Sequence, residues 1–134
     1  MRSALILLVG LCILSPVQSF PEGIDDRGDR GCICHGGEDE TTEVIVYGLP
    51  EMYNSSVTYN FTITINSPVI ETTSEDQAKG GFRVIISKGE IVADEWQYLE
   101  GGYTHNETIN KQRTWNASWI APENDADLAT FIVH

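Results

Sequence analysis

Residues 57–66, Val-Thr-Tyr-Asn-Phe-Thr-Ile-Thr-Ile-Asn, alternate apolar and polar side chains: Val57, Tyr59, Phe61, Ile63 and Ile65 on one side, Thr58, Asn60, Thr62 and Thr64 on the other. A period of two is the pattern of a strand with one buried face. The same alternation recurs in 80–87, where Phe82, Val84 and Ile86 share a side before Lys88-Gly89 turns the chain, and in 114–122, where Trp115, Ala117 and Trp119 do so. A shorter apolar run, Val44 to Tyr47, ends at Gly48-Leu49-Pro50. A weaker segment covers Ile91 to Leu99, Gly101-Gly102 breaks it, and Leu128 to Val133 forms a last strand. No stretch after Thr41 has a helical period. About seven short strands, with turn residues every 8 to 12 positions or so, predict an all-β fold, an antiparallel β-sandwich. Tyr59, Phe61, Phe82, Trp115 and Trp119 fall at strand period inside apolar runs and are read as core. Tyr98 and Tyr103, on either side of the Gly-Gly turn, are the candidates for an exposed contact.

The N-terminus departs from this pattern. Arg2 precedes the apolar run Ala4 to Leu14, which Ser15-Pro16 ends and small residues follow. That is the layout of a secretory signal peptide, with cleavage expected after Ser19 and Cys12 lost with it. The run is shorter than the about 20 apolar residues that span a bilayer. Residues 20–31, Phe-Pro-Glu-Gly-Ile-Asp-Asp-Arg-Gly-Asp-Arg-Gly, carry little apolar material and read as flexible. Arg27-Gly28-Asp29 has the composition of an integrin ligand, but in a stretch this rich in the same residue types it carries no functional weight. The expected organisation is a signal peptide at 1–19, a flexible leader with a Cys-His segment at 20–40, and a β-sandwich domain at 41–134.

Export agrees with the rest of the composition. All 20 acidic residues follow Ser19, and the formal net charge of −12 excludes nucleic acid as a partner and reads as a solvated acidic surface. Four N-glycosylation acceptor triplets begin at Asn54, Asn60, Asn106 and Asn116. Asn60 and Asn116 fall on the outward side of their strands.

One stretch carries possible chemistry. Gly-Cys-Ile-Cys-His-Gly-Gly at 31–37 holds both cysteines that follow the signal, with His35 beside Cys34. Three readings stay open. Cys32 and Cys34 form a tight local disulfide, the default fate of paired cysteines in an oxidising compartment. Alternatively they are thioether donors to haem c, with His35 as one axial ligand and His105 as the other. The third is a metal site, zinc or copper, using Cys32, Cys34, His35 and His105. Glu123, Asn124, Asp125 and Asp127 in one loop supply oxygen ligands suited to calcium, a weaker match. No nucleophile elbow, paired catalytic carboxylates or phosphate loop is present, so no enzymatic activity is expected.

The order Cys-x-Cys-His-Gly-Gly, Val-Tyr-Gly-Leu-Pro-Glu-Met-Tyr, Tyr-Asn-Phe-Thr-Ile-Thr-Ile, Gly-Gly-Phe-Arg-Val-Ile-Ile-Ser, Thr-His-Asn and Ser-Trp-Ile-Ala-Pro resembles the reeler-like domains of microbial surface proteins of the choice-of-anchor V type, over residues 31–133. The resemblance implies a β-sandwich outside the cell, often with a separate C-terminal anchor, and no established enzymatic activity. Related domains often carry Cys-x-x-Cys-His, whereas one residue separates Cys32 from Cys34 here. The chain stops at His134 inside its expected last strand, as a fragment lacking its anchor or as a released form would. The expected function is a secreted or cell-surface recognition or adhesion module for an extracellular protein or glycan, touching membrane only through an anchor. The alternative is a small extracellular haem or metal domain for electron transfer.

Overall fold

A computed structural model describes residues 22–30, 39–68, 76–124 and 128–134. Among the described residues eight strands, β1 (Glu43–Tyr47), β2 (Thr58–Asn66), β3 (Arg83–Ile86), β4 (Glu90–Val92), β5 (Gln97–Leu99), β6 (Gly102–Thr104), β7 (Thr114–Ile120) and β8 (Phe131–Val133), form two sheets. Sheet A has the order β1-β2-β7-β4 and sheet B the order β5-β6-β3-β8, and every pairing is antiparallel. The predicted sandwich is present. The weak segment 91–99 divides between the sheets, β4 at the edge of one and β5 at the edge of the other. Gly102 begins β6 instead of only ending a strand, and the last strand is confined to Phe131–Val133, leaving Leu128 exposed.

The core lies between the sheets. Phe61, Ile63, Phe82, Val84, Trp115 and Trp119 are each at most 2% exposed and belong to one cluster, as the alternation requires. Phe82 packs against Trp115 at 4.9 Å between ring centroids and Trp119 against Phe131 at 5.2 Å. The indole nitrogens are satisfied: Trp115 Nε1 donates to Ile109 O at 2.7 Å and Trp119 Nε1 to Lys88 O at 3.0 Å. The latter contact explains the glycine after Lys88. Gly89 has φ +81°, and a Cβ there would collide with the Trp119 indole. Trp96, between β4 and β5, closes the core from a linker, its ring tilted against Phe82 at 4.3 Å between centroids.

Residues 22–30, read from sequence as flexible, are docked on the outer face of sheet B. Asp26–Arg30 forms a 3₁₀ helix. Ile24 N donates to Thr104 Oγ1 at 3.0 Å, and the Gln97 side chain bonds Glu22 O. The anchor is Arg83, whose side chain is fully buried. Strand alternation turns Arg83 away from the core that holds Phe82 and Val84, and onto this face. Its Nη1 donates to Ile24 O at 2.9 Å and to Leu99 O at 3.0 Å, its Nη2 to Glu100 O at 2.9 Å, and its Nε pairs with the Asp29 carboxylate. Gly102 leaves room for the guanidinium, which any Cβ there would strike. Composition concealed this because the segment's contribution to the fold is polar, through carbonyls and a carboxylate that satisfy a buried charge.

Trp119→Ala is expected to lower stability by about 3 to 5 kcal/mol, as aromatic deletions from packed cores do. Denaturant unfolding checks this, and an unchanged midpoint would refute the core assignment. Asp29→Asn leaves the buried guanidinium with neutral partners only, and its solvent-facing half moderates the loss to about 1 to 2 kcal/mol. Limited trypsin digestion should then cut at Arg27 or Arg30 faster than in the wild type, while the core melts as one unit.

Candidate functional site

Of the residues proposed to hold haem or a metal, Cys32, Cys34 and His35 lie outside the described residues, as does the Cys32–Cys34 disulfide reading. His105 is described. It follows β6 directly, is 3% exposed, and lies flat on Gly81, where a Cβ would collide with the imidazole. Phe82 N donates to His105 Nδ1 at 3.1 Å. Nδ1 also lies 3.3 Å from Phe82 O and 3.4 Å from Thr104 Oγ1. Thr104 Oγ1 donates to Phe82 O at 2.7 Å. Metal-bound histidines ordinarily have their second nitrogen donating to an oxygen. Phe82 O, at 3.3 Å, is the oxygen beside His105 Nδ1. The N-terminal segment does pass beside this loop: Gln97 Nε2 donates to His105 O at 2.8 Å and also bonds Glu22 O.

The 123–127 loop, read as a source of calcium ligands, is described only as far as Asn124. Asn124 O accepts from Tyr53 Oη at 3.0 Å, and Asp125 and Asp127 lie outside the described residues. A different acidic group is brought together: Asp25, Asp26 and Glu100 place carboxylate oxygens within 4.8 Å of one another. Sequence separation hid it, since Glu100 is 74 positions from Asp26. Internal cations account for this group. Arg27 pairs with Asp25 and holds its carboxyl down to about 2, mainly through the side-chain hydrogen bond, and Arg83 lies beneath. Both charges of the Arg-Gly-Asp triplet are likewise engaged, Arg27 with Asp25 and Asp29 with Arg83. At the start of β1 the hydroxyls of Thr42 and Thr41 lower the Asp39 carboxyl in the same way.

Two surfaces stand out among the described residues. At one end of the sandwich Leu49, Pro50, Met52, Tyr53, Leu128 and Phe131 line an apolar cleft of about 720 Å³ with Trp119 at its floor. Met52 is 88% exposed and Leu128 83%. Sequence periodicity missed the cleft because both residues sit in loops. Of the tyrosines read as exposed contacts, Tyr98 is exposed, whereas Tyr103 is half-buried against the core and its Oη accepts from Ile91 N at 3.3 Å. The second surface is the outer face of sheet A. Asn60 and Asn116 stand exposed on it, and Asn54 is exposed in the loop before β2. Asn106 is half-buried, its Nδ2 donating to Glu95 O at 2.9 Å and its Oδ1 accepting from Thr108 N at 2.8 Å.

No protein-family model matches the sequence, and no curated protein matches it. The structure is similar to the crystal structure of the human F-spondin reeler domain, fragment 1, with a TM-score of 0.50 at 17% identity over 69% of this chain and 73% of that one. Fragment 2 of the same human domain gives a TM-score of 0.48 at 18% identity over 69% of this chain and 76% of that one. The chain has the fold of a reeler domain.

Proposed function

We propose that the chain is a secreted or cell-surface recognition module without catalytic activity, of the choice-of-anchor V kind, which binds a protein partner at the apolar end of the sandwich. The observation that carries this reading is the cleft with Met52 and Leu128 at its mouth. Large apolar side chains this exposed, grouped around a concavity, are the mark of a binding surface and cost solubility otherwise. Glu51 lines the cleft, and the chain is strongly acidic overall. An apolar side chain flanked by lysine or arginine is the complementary partner chemistry. The signal-peptide pattern, the acceptor triplets and the reeler fold support an extracytoplasmic location.

Beads carrying the chain should adhere to surfaces coated with extracellular matrix proteins. A Met52→Glu, Leu128→Glu variant, altered only at exposed positions, should lose most of that adhesion with unchanged melting. Equal adhesion by variant and wild type would overturn the placement of the surface.

The haem or metal reading through Cys32, Cys34, His35 and His105 is supported by proximity of the N-terminal segment to His105 and opposed by the burial of that imidazole. Protein exported from a host able to attach haem should show no haem absorption band, an intact mass without a haem adduct, and no bound zinc or copper. A band or a stoichiometric metal that His105→Ala removes would establish the electron-transfer reading instead.

A further inference from the structure

Strands β2 and β7 are the two inner strands of sheet A, so their outward side chains form the middle of its solvent face. Along β2 these are Thr58, Asn60, Thr62 and Thr64, and along β7 they are Thr114, Asn116, Ser118 and Ile120. None is charged, in a chain of net charge −12. The register sets Asn60 opposite Ser118 and Thr62 opposite Asn116. Ser118 Oγ donates to Asn60 Oδ1 at 2.8 Å, and Thr62 Oγ1 donates to Asn116 Oδ1 at 2.8 Å. Thr62 and Ser118 are the hydroxyl residues of the triplets Asn60-Phe61-Thr62 and Asn116-Ala117-Ser118. Each triplet's hydroxyl is therefore held by the other triplet's asparagine, across 54 and 58 positions of sequence.

We propose that Asn60 and Asn116 both carry N-linked glycans, that these are attached before β2 and β7 pair, and that together they cover the outer face of sheet A. In the attachment, the amide Nδ2 bonds to the anomeric carbon of a saccharide carried on a lipid diphosphate. The carbon–oxygen bond to the diphosphate breaks, the lipid diphosphate leaves, and the amide gives up one proton. Oδ1 is untouched, so both cross-strand hydrogen bonds survive in the modified protein. Both asparagines are exposed, and their Oδ1 atoms face the neighbouring strand, which leaves Nδ2 directed away from it.

Timing follows from the topology. A transferase must engage both the asparagine and the hydroxyl two residues on, in an accessible stretch of chain. In the closed sheet the hydroxyls are bonded across the strands, and each strand is flanked on both sides, β2 by β1 and β7 by β4. Inner strands open only with the sheet itself. Coverage follows from what borders the pair. Tyr47 of β1, opposite Thr62, is 58% exposed, and Val92 of β4, opposite Ser118, is 48% exposed. They flank a shallow concavity of about 580 Å³ that contains Asn60 and Asn116. The lining also includes the exposed Asp94; a saccharide matches this carboxylate and the amides and hydroxyls of β2 and β7 through its hydroxyls and the Tyr47 ring through its C–H faces, and so removes Tyr47 and Val92 from water.

The inference rests on export, and the experiment separates the two. The full chain is translated in the presence of microsomes, once with its own residues 1–19 and once with a proven secretion signal in their place. Glycopeptide mapping should find both Asn60 and Asn116 occupied, with Asn60→Gln and Asn116→Gln each removing one glycan. Unmodified protein, folded first and then added to detergent-opened microsomes, should be modified at these sites about a hundredfold more slowly or not at all, since opening must precede transfer. Occupancy with the substitute signal alone overturns export and leaves the site standing. Occupancy of one or neither asparagine with both signals, or equal modification of the folded chain, overturns the proposal.

Discussion

The pairing of β2 with β7 is the constraint on which both halves of this molecule depend. One register sets Tyr59, Phe61 and Ile63 opposite Trp119, Ala117 and Trp115 on the inner side, and Asn60 and Thr62 opposite Ser118 and Asn116 on the outer side. Because side chains alternate, a slip of one residue would exchange the two sets and bury asparagine while exposing tryptophan. The aromatic core penalises that slip, and the hydroxyl–amide pairs on the solvent face reward the correct register a second time. Segments about 55 residues apart are fixed by packing on one side and hydrogen bonding on the other. Sheet B then closes over the inner face through Phe82, Val84 and Phe131.

Sheet B has its own constraint in Arg83. A guanidinium with no exposed surface must find partners for its donors, and sheet B alone supplies only the carbonyls of Leu99 and Glu100. Ile24 O and the Asp29 carboxylate complete the set. The N-terminal segment is therefore part of the sandwich by necessity of charge. Gly23 and Gly102 belong to the same device, the first lying against Thr104 and the His105 carbonyl and the second beneath the guanidinium.

What was legible in the sequence and what was not divide along a physical line. Strands with one apolar face were legible from Phe61, Val84 or Trp119 outward, because burial imposes period two. The assignment of β4 and β5 to different sheets was not, since three-residue strands around Trp96 carry too few alternations to show a face. The docked segment 22–30 was hidden because polar satisfaction leaves no periodic trace, and Arg83 itself reads as an outward charge between Phe82 and Val84. The exposed apolar cleft was hidden for the opposite reason: Met52 and Leu128 lie in loops, where an apolar residue looks incidental until the fold brings two such loops together. The reciprocal acceptor triplets needed the register, which local sequence does not contain.

The two surfaces divide the molecule by chemistry. The end cleft offers apolar side chains in an acidic field, which suits a protein segment that brings both hydrophobic and basic groups. The outer face of sheet A offers amides and hydroxyls already paired with one another. A protein partner docking there would have to break those pairs or leave its own polar groups unsatisfied, at a cost of roughly 1 to 3 kcal/mol for each group buried unpaired. A covalently held saccharide incurs no such cost, since it leaves the cross-strand bonds in place and keeps its own hydroxyls in water. With residues 22–30 docked on the outer face of sheet B and that of sheet A committed to sugar, the end of the sandwich around Met52 and Leu128 offers a partner apolar side chains grouped in a cleft.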